Sequence, residues 1–341
     1  MVQPDIVRTQ RRSKLKGNKE KDKKENNKKE NNKKENNQVS IFRQAKYQLF
    51  FLAIPFVIYI FVFSYLPLFG WAYAFFDYKP GIPLFQNKFV GFKHFVSLFS
   101  TVTSRQEIVR VMTNTFAISF LGIACSILPV FFAIFLSEMR SRKMQKFIQT
   151  VTTLPNFISW VLVYSVMFAM FSPGDGFLNN ILMKLNLISV PTNILGNGDH
   201  VWLTQTLIGV WKSLGWSAII YLSAITGIDR ELYDAAAVDG AGRFSRIWYI
   251  TIPGIMPTFF VLLMLAVSGF INNGLDQYFI FQNPMTKAKI EVLDLYVYNQ
   301  GIASINYAGA TAIGILKSLV SITLLFVVNK MSKWIRGESI I

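Results

Sequence analysis

Apolar residues in this chain do not alternate with polar ones; they gather into six long runs separated by short polar intervals. The runs cover about 47–71, 113–137, 147–171, 203–228, 254–275 and 305–329. The first, second, third and fifth hold no charged side chain, the fourth holds only Lys212 and the sixth only Lys317. At about 1.5 Å per residue as α-helix, each is long enough to cross a hydrocarbon core of ~30 Å with some tilt. The pattern predicts an all-α membrane protein with six transmembrane helices.

Charge then sets an orientation. The interval 138–146, EMRSRKMQK, carries four basic residues and one acid, and the end 330–338 is again basic. The interval 172–202 has one Lys and two Asp. The positive-inside rule places the basic intervals, and both termini, in the cytoplasm. Residues 1–45 differ from the rest of the chain: Lys-Lys-Glu-Asn-Asn occurs three times from Lys23 to Asn37. Residues 1–46 hold 15 Lys/Arg against 6 Asp/Glu, a net of +9 out of the chain's +16. With so few apolar residues this tail cannot offset its ordering entropy, and it is expected to be a disordered, solvated cytoplasmic tail ahead of a polytopic domain over 46–341. No apolar run with a small-residue cleavage site precedes it, so it does not read as a secretory signal. Nucleic acid is not the expected partner of its charge; orientation in the membrane is.

Composition excludes most chemistry. Of 341 residues 52% are hydrophobic and 16% charged, unlike a soluble domain. The single cysteine, Cys125, lies in an apolar run, so there is no disulfide framework. His94 and His200 are far apart, no metal-ligand cluster or nucleophile–base arrangement is visible, and no G-x-x-x-x-G-K-[ST] loop is present to bind ATP. The chain is expected to be no enzyme, to bind no cofactor and to borrow its energy.

One charged interval, 229–253, interrupts the apolar runs with a pattern of its own. Leu232 to Asp239 is alanine-rich and predicts a short helix; Gly240 can adopt positive φ and turn the chain. A second helix then sets Phe244, Ile247, Trp248 and Thr251 at i, i+3, i+4, i+7 spacing, and Pro253 is expected to close it at the edge of the next run. The segment resembles the EAA loop of membrane subunits of ATP-binding-cassette importers, roughly E-A-A-x-x-D-G-A followed downstream by I-x-x-P. Asp234-Ala235-Ala236-Ala237-Val238-Asp239-Gly240-Ala241 carries it, with Ile250 and Pro253 after it. Asp234 replaces the usual Glu, and Ile247 stands where an aromatic is common, its bulk moved to Phe244 and Trp248. The resemblance implies that Asp234, Ala235, Ala236, Asp239, Gly240, Ala241, Phe244 and Pro253 couple the membrane helices to an ATPase subunit.

Further stretches resemble carbohydrate-importer permeases of the LplB-type branch: Thr153–Trp160, Pro173–Asn179, Trp211–Trp216 and Asp294–Gly301. Together they span most of residues 45–335. The resemblance implies the type I importer permease fold and a second homologous permease subunit. It also implies an ATPase dimer holding ATP and Mg, an extracellular lipid-anchored substrate-binding protein, and an oligosaccharide cargo. A bacterial plasma membrane, of the single-membrane type, goes with the branch. An ATP-independent secondary carrier is the rival; it predicts an internal repeat and membrane acids, neither of which is visible. A membrane scaffold or sensor would need a folded output domain, which residues 1–46 do not provide.

Polar and aromatic side chains in or beside the runs are the candidates for the substrate pathway, because polar groups are costly in hydrocarbon and face cavities or partners. They include Asn114, Asn156, Trp160, Trp216, Asn272, Asn273, Asp276, Gln277 and Lys317. Lys317 falls near mid-run and is expected to pair with a carboxylate or with backbone carbonyls. Lys212 is expected to snorkel to an interface. A uronic-acid-containing oligosaccharide would suit these two lysines. Pro129 and Pro155 are expected to kink their helices.

Overall fold

The structure, a computed structural model, describes residues 47–336. The basic tail, residues 1–45, lies outside the described residues. Among the described residues two compact units are distinguished, 47–70 and 71–336. In the first, residues 47–70 are helical and expose Phe51, Phe56, Tyr59 and Phe63, as a helix among lipid chains does. They open the apolar helix α1, Tyr47–Phe75.

The second unit is built on helices, and among the described residues its only β-type pairing is an isolated bridge, Phe76 to Phe89. A short amphipathic helix, α2 (Lys93–Ser100), precedes the long helix α3 (Val102–Ser137). Then come α4 (Arg142–Phe157), α5 (Trp160–Phe171), α6 (Phe177–Lys184) and α7 (Val201–Thr226). The rest is α8 (Arg230–Val238), α9 (Arg243–Ser268), three short helices and α13 (Tyr307–Arg336). The short helices are α10 (Asp276–Phe281), α11 (Lys287–Ile290) and α12 (Leu293–Tyr298). Among the described residues five helices are long and apolar enough to cross a membrane, or six if the bent pair α4–α5 is one broken span.

Starts are set by short polar side chains that accept from otherwise unpaired N–H groups. Thr101 caps α3, Ser141 caps α4, Ser159 caps α5 and Asp229 caps α8. Helix α7 lies at the centre. Its Val201 and Ile208 pack with Ile118, Val163, Met167 and Phe281; its Ala218 and Tyr221 pack with Val130, Ile134 and Ile255. Between apolar helices in lipid, close backbone approach does much of the packing. At Gly215 of α7 a Cβ would stand 2.3 Å from the Thr152 carbonyl, so only glycine lets α4 and α7 meet there.

Four boundaries differ from the sequence reading. The second span begins earlier, at Val102, because Thr101 caps it and helix formers run through its charged first turns. The third is not one helix over 147–171: it bends by 111° after Phe157. Pro155 sits in the last, tightened turn of α4, and Ser159 starts a new helix. The fifth ends at Ser268, not near 275, and Asn272 and Asn273 fall in a turn that uses Gly274 at φ +82°. Pro253 does not close the helix of 243–251. Ile252 N–H bonds the Ile247 carbonyl, five residues back, and this widened turn makes room for the proline ring, so α9 runs on into the membrane.

Candidate functional site

Two regions carry the polar groups that the packing does not explain, a cavity among the spans and a knob at one end.

The cavity, about 290 Å³, is bounded by α3, α7, the end of α9 and the turn after it. Ser119, Gln205, Thr206, Ser213, Asn272, Asn273, Gln277 and the Tyr278 hydroxyl supply its polar lining. No Lys, Arg, His, Asp or Glu is among its lining residues. Gln277 is buried and its amide donates to the Gln205 carbonyl (2.8 Å) and to Gln205 Oε1 (3.0 Å). Asn273 Nδ2 donates to Ser119 Oγ at 2.8 Å, and Asn273 Oδ1 is buried with no partner. The structure thus gathers Asn272, Asn273 and Gln277 of the sequence candidates into one cavity.

It separates the others. Asn156 and Trp160 flank the break between α4 and α5, and Trp216 stacks edge-on against Phe157 there, ring centroids 5.7 Å apart. Asp276 is exposed in the first turn of α10. Lys317 lies against a second cavity of about 490 Å³, paired with Asp294, whose other oxygen accepts from Gly274 N–H at 3.0 Å. The expected carboxylate partner is there. Lys212 does not snorkel: it is 8% exposed and donates to the carbonyls of Pro155 (3.1 Å) and Asn156 (2.8 Å), 5.3 Å from the centre of the Trp160 ring. The break after Phe157 leaves the Asn156 carbonyl with no backbone donor, while the Pro155 carbonyl also accepts from Ile158 N–H (3.2 Å), and in a membrane these oxygens attract the ammonium more strongly than a distant headgroup layer. Neither lysine is left free for a substrate carboxylate.

Asn114, the remaining sequence candidate, is structural. It is 2% exposed, donates to the carbonyls of Ala288 and Glu291, and accepts from Trp202 Nε1. Around it, Arg110 donates to Glu291 Oε2 (2.7 Å), Asn299 to Glu291 Oε1 (2.7 Å), and Leu293 N–H to Thr115 Oγ1. Tyr296 donates to Glu107, and burial, followed by the Glu107 charge, pushes its pKa up to about 12. This knot fastens residues 288–299 to α3 and α7.

The knob is α8, a glycine turn and the start of α9. Asp229 caps α8, and Gly240 at φ +74° ends it, with Ala241 N–H returning to the Ala236 carbonyl at 2.8 Å. Tyr233 and Thr251 share a hydrogen bond of 2.9 Å that closes the two helices on each other. Arg243 pairs with Glu138 at 2.9 Å, tying the knob to the end of α3. Asp234 lines a third cavity, about 370 Å³, with Glu138, Arg142 and Arg230. Ala235, Asp239 and Pro253 are exposed, Ala236 and Ala241 half-buried. The face that Phe244, Ile247, Trp248 and Thr251 were expected to share is divided: Thr251 is buried, while Phe244 is 85% exposed and Trp248 66%. Val238, at 88%, joins them. Within the subunit these apolar side chains have no cover.

The sequence signal missed Ser119, Gln205, Thr206 and Ser213, single polar residues in apolar runs of the kind that usually bond a neighbouring helix. It also missed Glu291, whose ion-pair partner Arg110 lies 181 residues away.

Residues 129–337 match the family described as the binding-protein-dependent transport system inner membrane component. The chain is 34% identical to Protein LplB of Bacillus subtilis, over 84% of this chain and 88% of the relative. It is 33% identical to the polygalacturonan/rhamnogalacturonan transport system permease protein YteP of the same organism, over 87% of this chain and 91% of that one. Among solved structures it is similar to a chain of a bacterial alginate ABC transporter, in complex with an alginate pentasaccharide-bound periplasmic protein. The TM-score is 0.77 with 30% identity, covering 87% of this chain and 97% of that one.

Proposed function

This chain belongs to the inner membrane components of binding-protein-dependent transport systems, and on that footing we infer that it is the permease subunit of an oligosaccharide importer of the ATP-binding-cassette class. It is a transport subunit and not an enzyme. The knob carries the coupling reading: its exposed Val238, Phe244 and Trp248, held by the Gly240 turn, make an apolar face for a cleft in an ATPase subunit. Asp234, Ala235, Ala236, Asp239, Ala241 and Pro253 shape that face, and ATP and Mg belong to the partner. A dimer of that ATPase, a second homologous permease and an extracellular binding protein complete the assembly. The knob and both termini are then cytoplasmic, in a bacterial plasma membrane. The polysaccharide-derived cargo named for the relatives supports a sugar here. The polar cavity holding Asn272, Asn273 and Gln277 is its path, opened alternately to either side.

The test is Gly240→Asp in the complete importer. Asp tolerates positive φ better than most residues, and a Cβ there meets nothing within 4 Å, so the subunit folds. The expected result is loss of ATPase copurification, or of substrate-stimulated ATP hydrolysis, with the permease still monodisperse. Unchanged binding and hydrolysis would sink the coupling role.

A further inference from the structure

Residues 76–100, between α1 and α3 in the chain, are tightly fastened and yet turn large apolar side chains outward. Asp77 N–H bonds the Lys88 carbonyl and Val90 N–H the Phe75 carbonyl, both at 2.9 Å. Asn87 accepts from Lys79 N–H and donates to the Pro83 carbonyl, each at 3.0 Å, and His94 Nε2 donates to the Phe76 carbonyl at 3.1 Å. The loop held in this way leaves Phe85 at its tip 87% exposed. Phe85 and Phe89 flank Phe76, with ring centroids 6.1 and 5.3 Å from it. In α2, Phe95 and Leu98 are half-buried, and Leu98 packs against the cluster of Val111 and Ile313. Phe92, Val96 and Phe99, at i, i+4 and i+7, are exposed. A helix whose outer side faced water would carry polar groups there.

Two features decide what covers this face. The first is its level. Tyr78 meets Tyr307, the first residue of α13, with ring centroids 6.0 Å apart, and the Tyr73 ring lies 4.5 Å from Tyr78. Trp71 and Tyr307 line the same cavity. Tyrosine and tryptophan gather where hydrocarbon meets headgroups, and the sixth apolar run begins beside Tyr307. The segment therefore lies at the membrane boundary, at the end opposite the knob. The second feature is charge. Lys79, Lys88 and Lys93 are exposed among the phenylalanines, and none pairs with a carboxylate among the described residues. Asp77 is the one acid of the segment. The core of a protein interface is poor in lysine. A lipid surface offers acyl chains to the rings and phosphates to the ammonium groups.

We propose that residues 76–100 are an interfacial anchor in the outer leaflet of the membrane. Phe85, Phe89, Phe92 and Val96 sit among acyl chains, with Lys79, Lys88 and Lys93 at lipid phosphates. The choice of leaflet rests on the knob being cytoplasmic; the sugar and the ATPase do not enter.

The experiment uses the complete importer with its cysteines replaced, Cys125→Ala in this chain, in liposomes of phosphatidylethanolamine and phosphatidylglycerol. A nitroxide is attached at one new cysteine at a time: Phe85→Cys, Phe89→Cys, Phe92→Cys or Val96→Cys. Electron paramagnetic resonance then compares its collisions with oxygen, which concentrates in acyl chains, and with a water-soluble nickel chelate. These side chains are already exposed, so each variant is expected to fold, and four sites read the depth independently. At all four, oxygen collisions should exceed nickel collisions severalfold, with the order reversed at Gln86→Cys and Ser97→Cys. Nickel collisions in excess at Phe85→Cys and Phe92→Cys would place the face in water, and low rates for both reagents would place it under protein; either result overturns the proposal. Lys79→Gln, Lys88→Gln and Lys93→Gln together should lower the oxygen-to-nickel ratio at position 85, and an unchanged ratio would overturn the phosphate contacts. Neither uptake nor ATP hydrolysis is measured, so the importer reading can stand where the anchor fails.

Discussion

At one end of α3, the knot around Glu291 turns polar groups inward; at the other, the knob turns apolar groups outward. Arg110, Asn114, Thr115, Trp202, Tyr296 and Asn299 make their hydrogen bonds within the subunit, and Glu291 is only 4% exposed. The knob holds itself together with little more than Tyr233–Thr251 and Glu138–Arg243, and leaves Val238, Phe244 and Trp248 uncovered. The first region is complete as it stands. The second keeps its shape while leaving apolar side chains without cover in the subunit. A buried polar network is costly to break because each removed partner strands another, whereas an exposed apolar face loses nothing in the isolated subunit when it is cut back.

That contrast can be broken in four ways. The largest effect is expected for Glu291→Ala, which strands the Arg110 guanidinium and the Asn299 amide and should cost about 3 kcal/mol or more. Its readout is a lower melting temperature and loss of monodisperse protein; an unchanged melting temperature would show that the knot is ornamental. Next, Phe244→Ser combined with Trp248→Ser should leave the permease's melting temperature in place and weaken ATPase association by about 2 kcal/mol, measured by titrating the ATPase onto the nanodisc-held permease. A melting shift with unaltered association would reverse the comparison. Third, Lys212→Met should remove about 1–3 kcal/mol by leaving the Asn156 carbonyl without a donor, and thermal unfolding checks it. The smallest is the exposed pair: Glu138→Arg or Arg243→Glu alone should cost about 0.2–1 kcal/mol of coupling. The double exchange should restore substrate-stimulated ATP hydrolysis if the tie between α3 and the knob matters.

The two lysines show where reading the chain reaches its limit. Both stand alone in apolar runs, and both were matched to general costs of charge in hydrocarbon. For Lys317 that reasoning named the right kind of partner, since a carboxylate is the cheapest neutraliser, and Asp294 supplies it. For Lys212 it failed, because the partner is not a side chain at all but two carbonyls at a helix break 56 and 57 residues earlier. Pro155 was visible as a kink; a bend of 111° with a buried ammonium across it was not. Pro253 illustrates the converse, a residue expected to stop a helix that a single wide turn absorbs. Asn272, Asn273 and Gln277 were legible as polar residues in an expensive place, but Ser119, Gln205, Thr206 and Ser213 became cavity lining only once α3, α7 and the turn after α9 were brought together.

The sequence by itself determined an all-helical, membrane-spanning class and the helix–turn–helix interval between the fourth and fifth runs. Each follows from local quantities: the length of an apolar run, the cost of a charge in hydrocarbon and the backbone freedom of one glycine. Tertiary structure alone decided which polar groups meet. Partners of Glu291, Lys212 and Asn273 lie tens to hundreds of residues away, and a hydrogen bond depends on ångström-scale placement that no periodicity encodes. Whether a serine offers a proton or a lone pair depends on which carbonyl its helix turn presents, and that is settled only when the chain has folded.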